Sequence, residues 1–319
     1  MRRQVALASP YAADLRARLD DVLPAGVELL ELPDELPEKD GAGADAGNKQ
    51  TLQRIAVALG APDRLAPWLP DLPALRWVQS TWAGVAPLVA QPRRDFQLTG
   101  VKGLFGVSMS EYVLGWSLAL RRSILHYAAT ARWEFRRDAG LAPLRLGIAG
   151  TGSIGVEVAR RCGPFFREVV GLNSDGSARP GFARCFATRD RHAFAAGLDV
   201  LALVLPATPA TDDLVDGELL NGLNRGAILI NGGRANALRL PDALAALEGG
   251  RLSGMVLDVF EQEPLADDDP LWSVPGLYIT SHSAAPTSLD AIAEVFLANL
   301  ARFEAGQPLQ GLIDFERGY

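Results

Sequence analysis

The stretch LRLGIAGTGSIGVEVARRCGPFFREVVGLN, residues 144–173, decides how the chain is read. A short apolar run at 146–149 passes into Gly150-Thr151-Gly152-Ser153-Ile154-Gly155. A helix-like segment follows, and a second apolar run closes the unit at 168–172. A bare GxGxxG is a weak signal; its place between a buried-strand pattern and a helix strengthens it. In such a unit Gly150 permits the tight turn, Gly152 keeps a Cβ out of the path of a pyrophosphate, and Gly155 lets helix and strand pack closely. The anion rests on the free N–H groups of the helix N-terminus, around Ser153 and Ile154. The competing reading, a glycine turn with no ligand, is outweighed by the downstream residues.

At 319 residues the chain is long for one core, so two domains are expected. A formal charge of −7 argues against a nucleic-acid partner, whose footprint is basic. No apolar run approaches the roughly 18 to 20 residues that span a membrane, so no membrane partner is expected. The N-terminus turns charged too soon for a signal peptide, which makes the cytoplasm the default location. Cys162 and Cys185 have no metal-ligand spacing and imply no disulfide framework. They are expected to be buried, inert thiols, and no metal site is expected.

Strand patterns fall at 5–8, 27–32, 55–59, 75–79 and 96–98, with a helix at 11–23. Residues 33–53, rich in glycine and charge, read as a surface loop. The longest helical pattern runs over 109–133, with Ser110 as its N-cap. Its apolar positions are too broad for one face, which suits a domain hinge or a dimer seam. Beyond the glycine turn come strands at 200–205, 227–230, 255–259 and 277–279, interleaved with helices at 213–220 and 240–247. A final helix at 288–305 crosses back to the first domain. The expectation is an α/β protein of two parallel-sheet domains, Rossmann-like and flavodoxin-like, with a cleft between them. The boundaries are 1–102 plus 287–319 for a discontinuous first domain and 103–286 for a dinucleotide-binding domain.

Three ionisable residues stand at strand ends of the second domain: Arg234 after ILINGG, Glu263 in DVFEQEP and His282 in ITSHSAA. Ligands of open α/β sheets bind outside the carboxyl ends of the strands, where these residues fall. Together they suit reduction of a carbonyl that carries a neighbouring carboxylate. Arginine can hold the carboxylate and polarise the carbonyl, histidine can supply a proton, and Glu263 is the candidate partner that keeps it protonated. Taken singly, each has a blander reading as a surface ion pair, a solvated charge or a loop histidine. Their joint placement favours chemistry.

At these residues the chain resembles the D-2-hydroxyacid dehydrogenase family, and within it the glyoxylate and hydroxypyruvate reductase branch. The resemblance lies in VQSTWAGV (78–85), FGVSMSEYVLG (105–115), LGIAGTGSIG (146–155), LVLPATPATDDLV (203–215), GAILINGGRA (226–235), LDVFEQEPLADDDPLW (257–272) and TSHSAAPT (280–287). It implies that Arg234 binds and polarises a 2-oxoacid, that His282 is the acid/base and that Glu263 pairs with it. It further implies that the amides of Ala83 and Gly84 receive the substrate carboxylate beside Trp82. Leu205, Pro206, Gly232, Asp258 and Ser283 match positions that line the cofactor, and a homodimer is expected.

The chain departs from the pattern at Ala235 and Gly100, and above all at Asn173-Ser174-Asp175. An acidic residue at the 173 position would bind the ribose of NAD, and an arginine beyond it would suit NADP. Asn173 and Ser174 stand there as cofactor contacts. The balance leans to NADP over NAD, with Arg179 as a distal contact. The activity implied is NAD(P)H-dependent reduction of a small 2-oxoacid to the D-2-hydroxy acid. The alternatives are a dehydrogenase of bulkier hydroxy acids and an NAD(H)-sensing, co-repressor-like protein. His126 reads as a core or interface histidine, His192 as a surface one, and the six tryptophans, among them Trp77, Trp116 and Trp272, as core packing.

Overall fold

The computed structural model describes residues 3–33, 50–136, 139–316 and 318. Most of the 33–53 loop of the sequence reading therefore lies outside the described residues. The chain divides into two compact units, residues 1–104 with 287–319, and residues 105–286. Both carry wholly parallel sheets.

The first unit holds β1 (Arg3–Ala8), β2 (Val27–Glu31), β3 (Val57–Gly60), β4 (Trp77–Ser80) and β5 (Gln97–Thr99), in the order β2-β1-β3-β4-β5. This is the flavodoxin-like winding. Both faces are apolar, as parallel strands between helices require. Ala6, Ala8, Ala58, Val78 and Leu98 face a cluster built with Leu65, Trp68, Leu69 and Leu88. On the other face Trp77 stacks on Phe296 and tilts against Phe303, with ring centroids 5.6 and 5.4 Å apart. Those two rings belong to the last helix, Leu289–Glu304, so the C-terminal segment completes the core of the first unit. The sequence anticipates this return. A buried polar network adds to it: Asn299 Nδ2 donates to Gln79 Oε1 (3.0 Å), Thr99 Oγ1 donates to the same oxygen (2.8 Å), and Trp77 Nε1 donates to Thr99 Oγ1 (2.9 Å).

The second unit holds β6 (Arg145–Ala149), β7 (Glu168–Asn173), β8 (Arg184–Ala187), β9 (Val200–Leu203), β10 (Ala227–Asn231), β11 (Leu252–Leu257) and β12 (Leu277–Ile279). Their order, β12-β11-β10-β9-β6-β7-β8, is that of a dinucleotide-binding sheet, with the switch point between β6 and β9. Side chains alternate between two cores: Leu201, Leu203, Leu229, Met255 and Leu257 face one cluster, and Val200, Ala202, Ile228, Ile230 and Val256 face the other. Strand β8 escapes the sequence reading because RCFA carries too little apolar signal.

In chain order the long helices are α1 (Ala12–Leu19), α2 (Gly106–Arg121), α3 (Ser153–Cys162), α4 (Leu240–Glu248) and α5 (Leu289–Glu304). The pattern read as one helix over 109–133 is two. α2 stops at Arg121, Ser123 takes a left-handed backbone (φ +50), and a short helix resumes over Ile124–Ala129. Arg121-Arg122-Ser123 interrupts the apolar run, and no residue of the short helix is buried. Ser110 is no N-cap: it lies inside α2 and its hydroxyl donates to the Gly106 carbonyl at 2.6 Å. The helix expected over 213–220 shortens to Gly217–Asn221, because the Asp216 carboxylate accepts from the Leu219 amide and caps it there.

Tryptophan is less uniformly core than expected: Trp77 and Trp68 are buried, Trp272 is half exposed, and Trp133 is fully exposed with Phe135 beside it. His126 is not a core residue either; it is part-exposed, with Nε2 3.2 Å from Glu134. Among the described residues no helix is long and apolar enough to cross a membrane.

Replacing Trp77 by alanine removes the stacking surface for α5 and should cost about 3–5 kcal/mol. Hydrogen exchange then accelerates at residues 289–304 and leaves residues 145–173 unchanged; equal acceleration in both segments contradicts this assignment of the core.

Candidate active site

The carboxyl end of β6 and the start of α3 form the glycine turn. Gly150 has φ +101, and a Cβ on it would lie 2.7 Å from the Val204 carbonyl. A Cβ at Gly155 would fall 1.9 Å from the Gly150 carbonyl, so the helix meets the strand backbone to backbone. Gly152 is the N-cap of α3 and makes no side-chain cap. Its missing Cβ would meet nothing within 4 Å. The first helical bond recorded in this turn runs from Val156 N–H to the Gly152 carbonyl, which leaves the amides of Ser153, Ile154 and Gly155 without carbonyl partners inside the helix. An uncapped helix end, open where a side chain would stand, fits a dinucleotide pyrophosphate.

Beyond β7 the discriminating loop turns on Asn173. Its Nδ2 donates to Thr151 Oγ1 and to the Ser177 carbonyl, both at 2.9 Å, and its Oδ1 accepts from the Gly176 amide at 2.6 Å. Both amide hydrogens are committed within the protein. Asn173 therefore shapes the loop and ties it to the glycine turn. Ser174, Asp175 and Arg179 are exposed around it.

The three ionisable residues stand in loops after β10, β11 and β12. His282 Nδ1 lies 2.7 Å from Glu263 Oε2, while Glu263 Oε1 accepts from the Phe260 amide at 2.9 Å. The imidazole thereby gives its Nδ1 hydrogen to a carboxylate that is itself held, and Nε2 has no partner among the described residues. Arg234 is partly buried, and Nη1 donates to the Gly233 carbonyl at 2.7 Å. Burial pulls the guanidinium below its usual pKa, and the charge of Glu263 works against that shift.

The residues matched to the cofactor gather around the same strand ends. A Cβ at Gly233 would meet the Leu205 amide at 2.8 Å, and one at Gly232 would meet Met109 Sδ at 2.8 Å and Ala284 Cβ at 3.4 Å. Asp258 is buried, and its carboxylate accepts from the amides of Ser283 (2.8 Å) and Ala284 (2.9 Å). It braces the loop from within. Trp82, Ala83 and Gly84 follow β4 in the first unit, where Ser80 Oγ accepts from the Trp82 amide at 3.0 Å.

The family model described as "D-isomer specific 2-hydroxyacid dehydrogenase, NAD binding domain" matches residues 115–284. The chain belongs to the D-isomer specific 2-hydroxyacid dehydrogenase family. It is an NAD(P)-dependent oxidoreductase of 2-hydroxy and 2-oxo acids. It is 32% identical over 217 residues to glyoxylate/hydroxypyruvate reductase A of Salmonella newport, covering 67% of this chain and 70% of that one. A solved family member from Aeromonas salmonicida is 37% identical, with a TM-score of 0.87 over 99% of this chain and 100% of that chain. The NADPH-dependent glyoxylate/hydroxypyruvate reductase of Sinorhizobium meliloti, solved with NADP and sulfate, is 28% identical, with a TM-score of 0.85 over the whole of both chains.

Sequence reasoning missed two groups close to this family's site. Tyr112, inside the helix read as apolar, reaches Thr280 with its hydroxyl at 2.7 Å. Thr280 Oγ1 in turn donates to Asp258 Oδ1 at 2.5 Å. The one available signal was Thr280's position two residues before His282. Of the two cysteines one departs from expectation. Cys162 is buried and burial pushes its thiol up to about 12, whereas Cys185 is part-exposed and raised too, again by burial.

Two outcomes follow from this geometry. Gly155→Ala forces backbone apart and should abolish quenching of tryptophan fluorescence by NADPH; quenching at the parent concentration counts against the turn as the cofactor site. At pH 8 iodoacetamide should label native Cys185 and spare Cys162, with both labelled in urea. Labelling of Cys162 in the folded protein contradicts its burial.

Proposed function

We propose that this oxidoreductase reduces a small 2-oxoacid of the glyoxylate or hydroxypyruvate type to the D-2-hydroxy acid. The observation that carries the reading is the His282–Glu263 pair at 2.7 Å, with Nε2 unpartnered, in the same unit as an arginine whose fork is mostly unused. The nicotinamide, when bound, supplies the hydride to the carbonyl carbon. Arg234 holds the substrate carboxylate and polarises the carbonyl oxygen through its charged fork. Glu263 accepts a hydrogen bond from Nδ1–H and fixes the ring, so Nε2 is the nitrogen that gives its proton to the carbonyl oxygen. By motif alone, the amides of Ala83 and Gly84 are assigned to the substrate carboxylate, with Trp82 bounding the pocket. A small substrate is favoured by the likeness to relatives named for glyoxylate and hydroxypyruvate.

His282→Ala should lower kcat by about 10²- to 10⁴-fold while NADPH binding is retained; a parent rate removes the assignment. A 340 nm assay of glyoxylate, hydroxypyruvate, pyruvate and phenylpyruvate, each with NADPH and NADH, tests the substrate. Preference for phenylpyruvate would move the reading to a bulkier substrate, and silence across the panel with binding intact to the sensing role.

NADP is the favoured cofactor, since no carboxylate stands at Asn173 to repel a 2′-phosphate. The neighbours solved with NADP support it. Arg179→Ala should raise the Kd for NADPH and leave that for NADH unchanged; equal effects on both remove Arg179 from phosphate recognition.

A homodimer is part of the same proposal. Trp133 and Phe135 are exposed, Ile124 and Tyr127 are exposed earlier in the same segment, and the Tyr127 hydroxyl accepts from the Arg136 amide, so this segment offers apolar surface of the kind that a partner covers. Trp133→Glu with Phe135→Glu should halve the mass measured by light scattering; an unchanged mass places the contact elsewhere.

A further inference from the structure

His282 is one of three non-glycine residues with a positive φ, at +52, among the described residues. A side chain in that region costs roughly 1–2 kcal/mol and persists only where the surroundings over-determine it. Three consecutive amides supply the constraint. The His282 amide donates to the Asp258 carbonyl at 2.8 Å. Those of Ser283 and Ala284 donate to the two carboxylate oxygens of the same residue. One buried aspartate therefore sets the backbone from which the imidazole projects.

Asp258 is itself held from outside the loop. Thr280 Oγ1 lies 2.5 Å from Asp258 Oδ1 and 2.7 Å from the Tyr112 hydroxyl. Threonine has a single hydroxyl hydrogen, and a carboxylate can only accept, so that hydrogen goes to Asp258. The threonine oxygen must then accept from Tyr112, which fixes the direction of the chain as Tyr112 to Thr280 to Asp258. Burial and the nearby charge of Asp258 raise the Tyr112 pKa, so the phenol keeps the hydrogen it donates. Tyr112 is rigidly mounted: it belongs to the 16-residue α2, its ring meets Trp116 edge-on at 6.3 Å, and Trp116 packs on Tyr278 of β12 at 5.4 Å. The helix thus holds Tyr112, and β12 leads directly into Thr280.

We propose that Tyr112 and Thr280 are positioning residues for the acid/base His282, acting through Asp258 to hold the 282–284 backbone in its left-handed turn. This rests on the reading of His282 as the proton donor. Without the two hydroxyls Asp258 keeps its amide donors and loses the tie that fixes it to α2, so the loop and the ring it carries gain freedom. Displacement of a proton donor by a fraction of an ångström to about 1 Å costs rate steeply, up to roughly 100-fold.

The test compares Tyr112→Phe, Thr280→Val, the two combined, Thr280→Ser and His282→Ala. Tyr112→Phe and Thr280→Val should each lower kcat by about 10- to 100-fold with the Kd of NADPH within about twofold of the parent. The double variant should be no more than about twofold worse than the poorer single one, because the two hydroxyls act in series. Thr280→Ser, which keeps the hydroxyl, should recover most of the rate.

An independent readout needs no cofactor. The chain has three histidines, so ¹⁵N-histidine spectra resolve the His282 ring, assigned by its loss in His282→Ala. Its signals should shift or broaden in Tyr112→Phe and Thr280→Val while those of His126 and His192 stay in place. Parent kcat and an unmoved His282 signal in both variants overturn the proposal. If His282→Ala retains the parent rate, the assignment of the acid fails instead, and the spectra alone then decide whether the chain positions the ring. Should Thr280→Val not fold, Tyr112→Phe, which removes a single buried oxygen, decides.

Discussion

The Gly150 carbonyl occupies the place where a side chain on residue 155 would begin. That backbone-to-backbone contact seats α3 against β6 at the switch point of the seven-stranded sheet, and much of the second unit follows from it. With the helix that close, its free amides stand at the carboxyl edge of the sheet. The turn also abuts the Val204 carbonyl at the end of β9, which sets the spacing between the two halves of the winding. A single methyl group at either glycine would force the halves apart. Packing at this density gives little when overfilled.

Around that edge the site is assembled from short loops rather than from one motif. Each loop is held by bonds that leave the working atoms free. Glu263 is anchored by the Phe260 amide and so presents one oxygen to His282. Asn173 spends both its hydrogens on Thr151 and Ser177, so the loop after β7 is bound to the glycine turn that it borders. Asp258 is buried and gathers amides from the histidine loop. The pattern is one of preorganisation: buried polar groups are satisfied by the backbone next to them, and His282 Nε2 and most of the Arg234 fork remain unspent.

Much of this was legible from residue order. Apolar runs at 146–149, 200–205 and 227–230 mark strands because a parallel sheet covered on both faces needs side chains of one kind in both directions. The last helix was legible as an element that follows the last strand, and its packing of Phe296 and Phe303 on Trp77 is what joins it to the first unit. The break at Ser123 was not, since three polar residues in a helical pattern can equally lie on a wet face. Strand β8 stayed hidden because its pairing with β7, and not its composition, makes it a strand.

Sequence by itself determined the class of fold, the glycine turn at the switch point and the placing of Arg234, Glu263 and His282 beyond strand ends of one sheet. These depend on local spacing and on side-chain chemistry, which the chain carries in one dimension. Tertiary structure alone decided that Asn173 spends its amide on its own loop, that Asp258 is an internal brace, and that Tyr112 reaches Thr280 across 168 positions of sequence. Each of those facts is a choice of hydrogen-bond partner among several of equal chemistry. The choice is made by whichever group folding brings within about 3 Å, and no residue type records it.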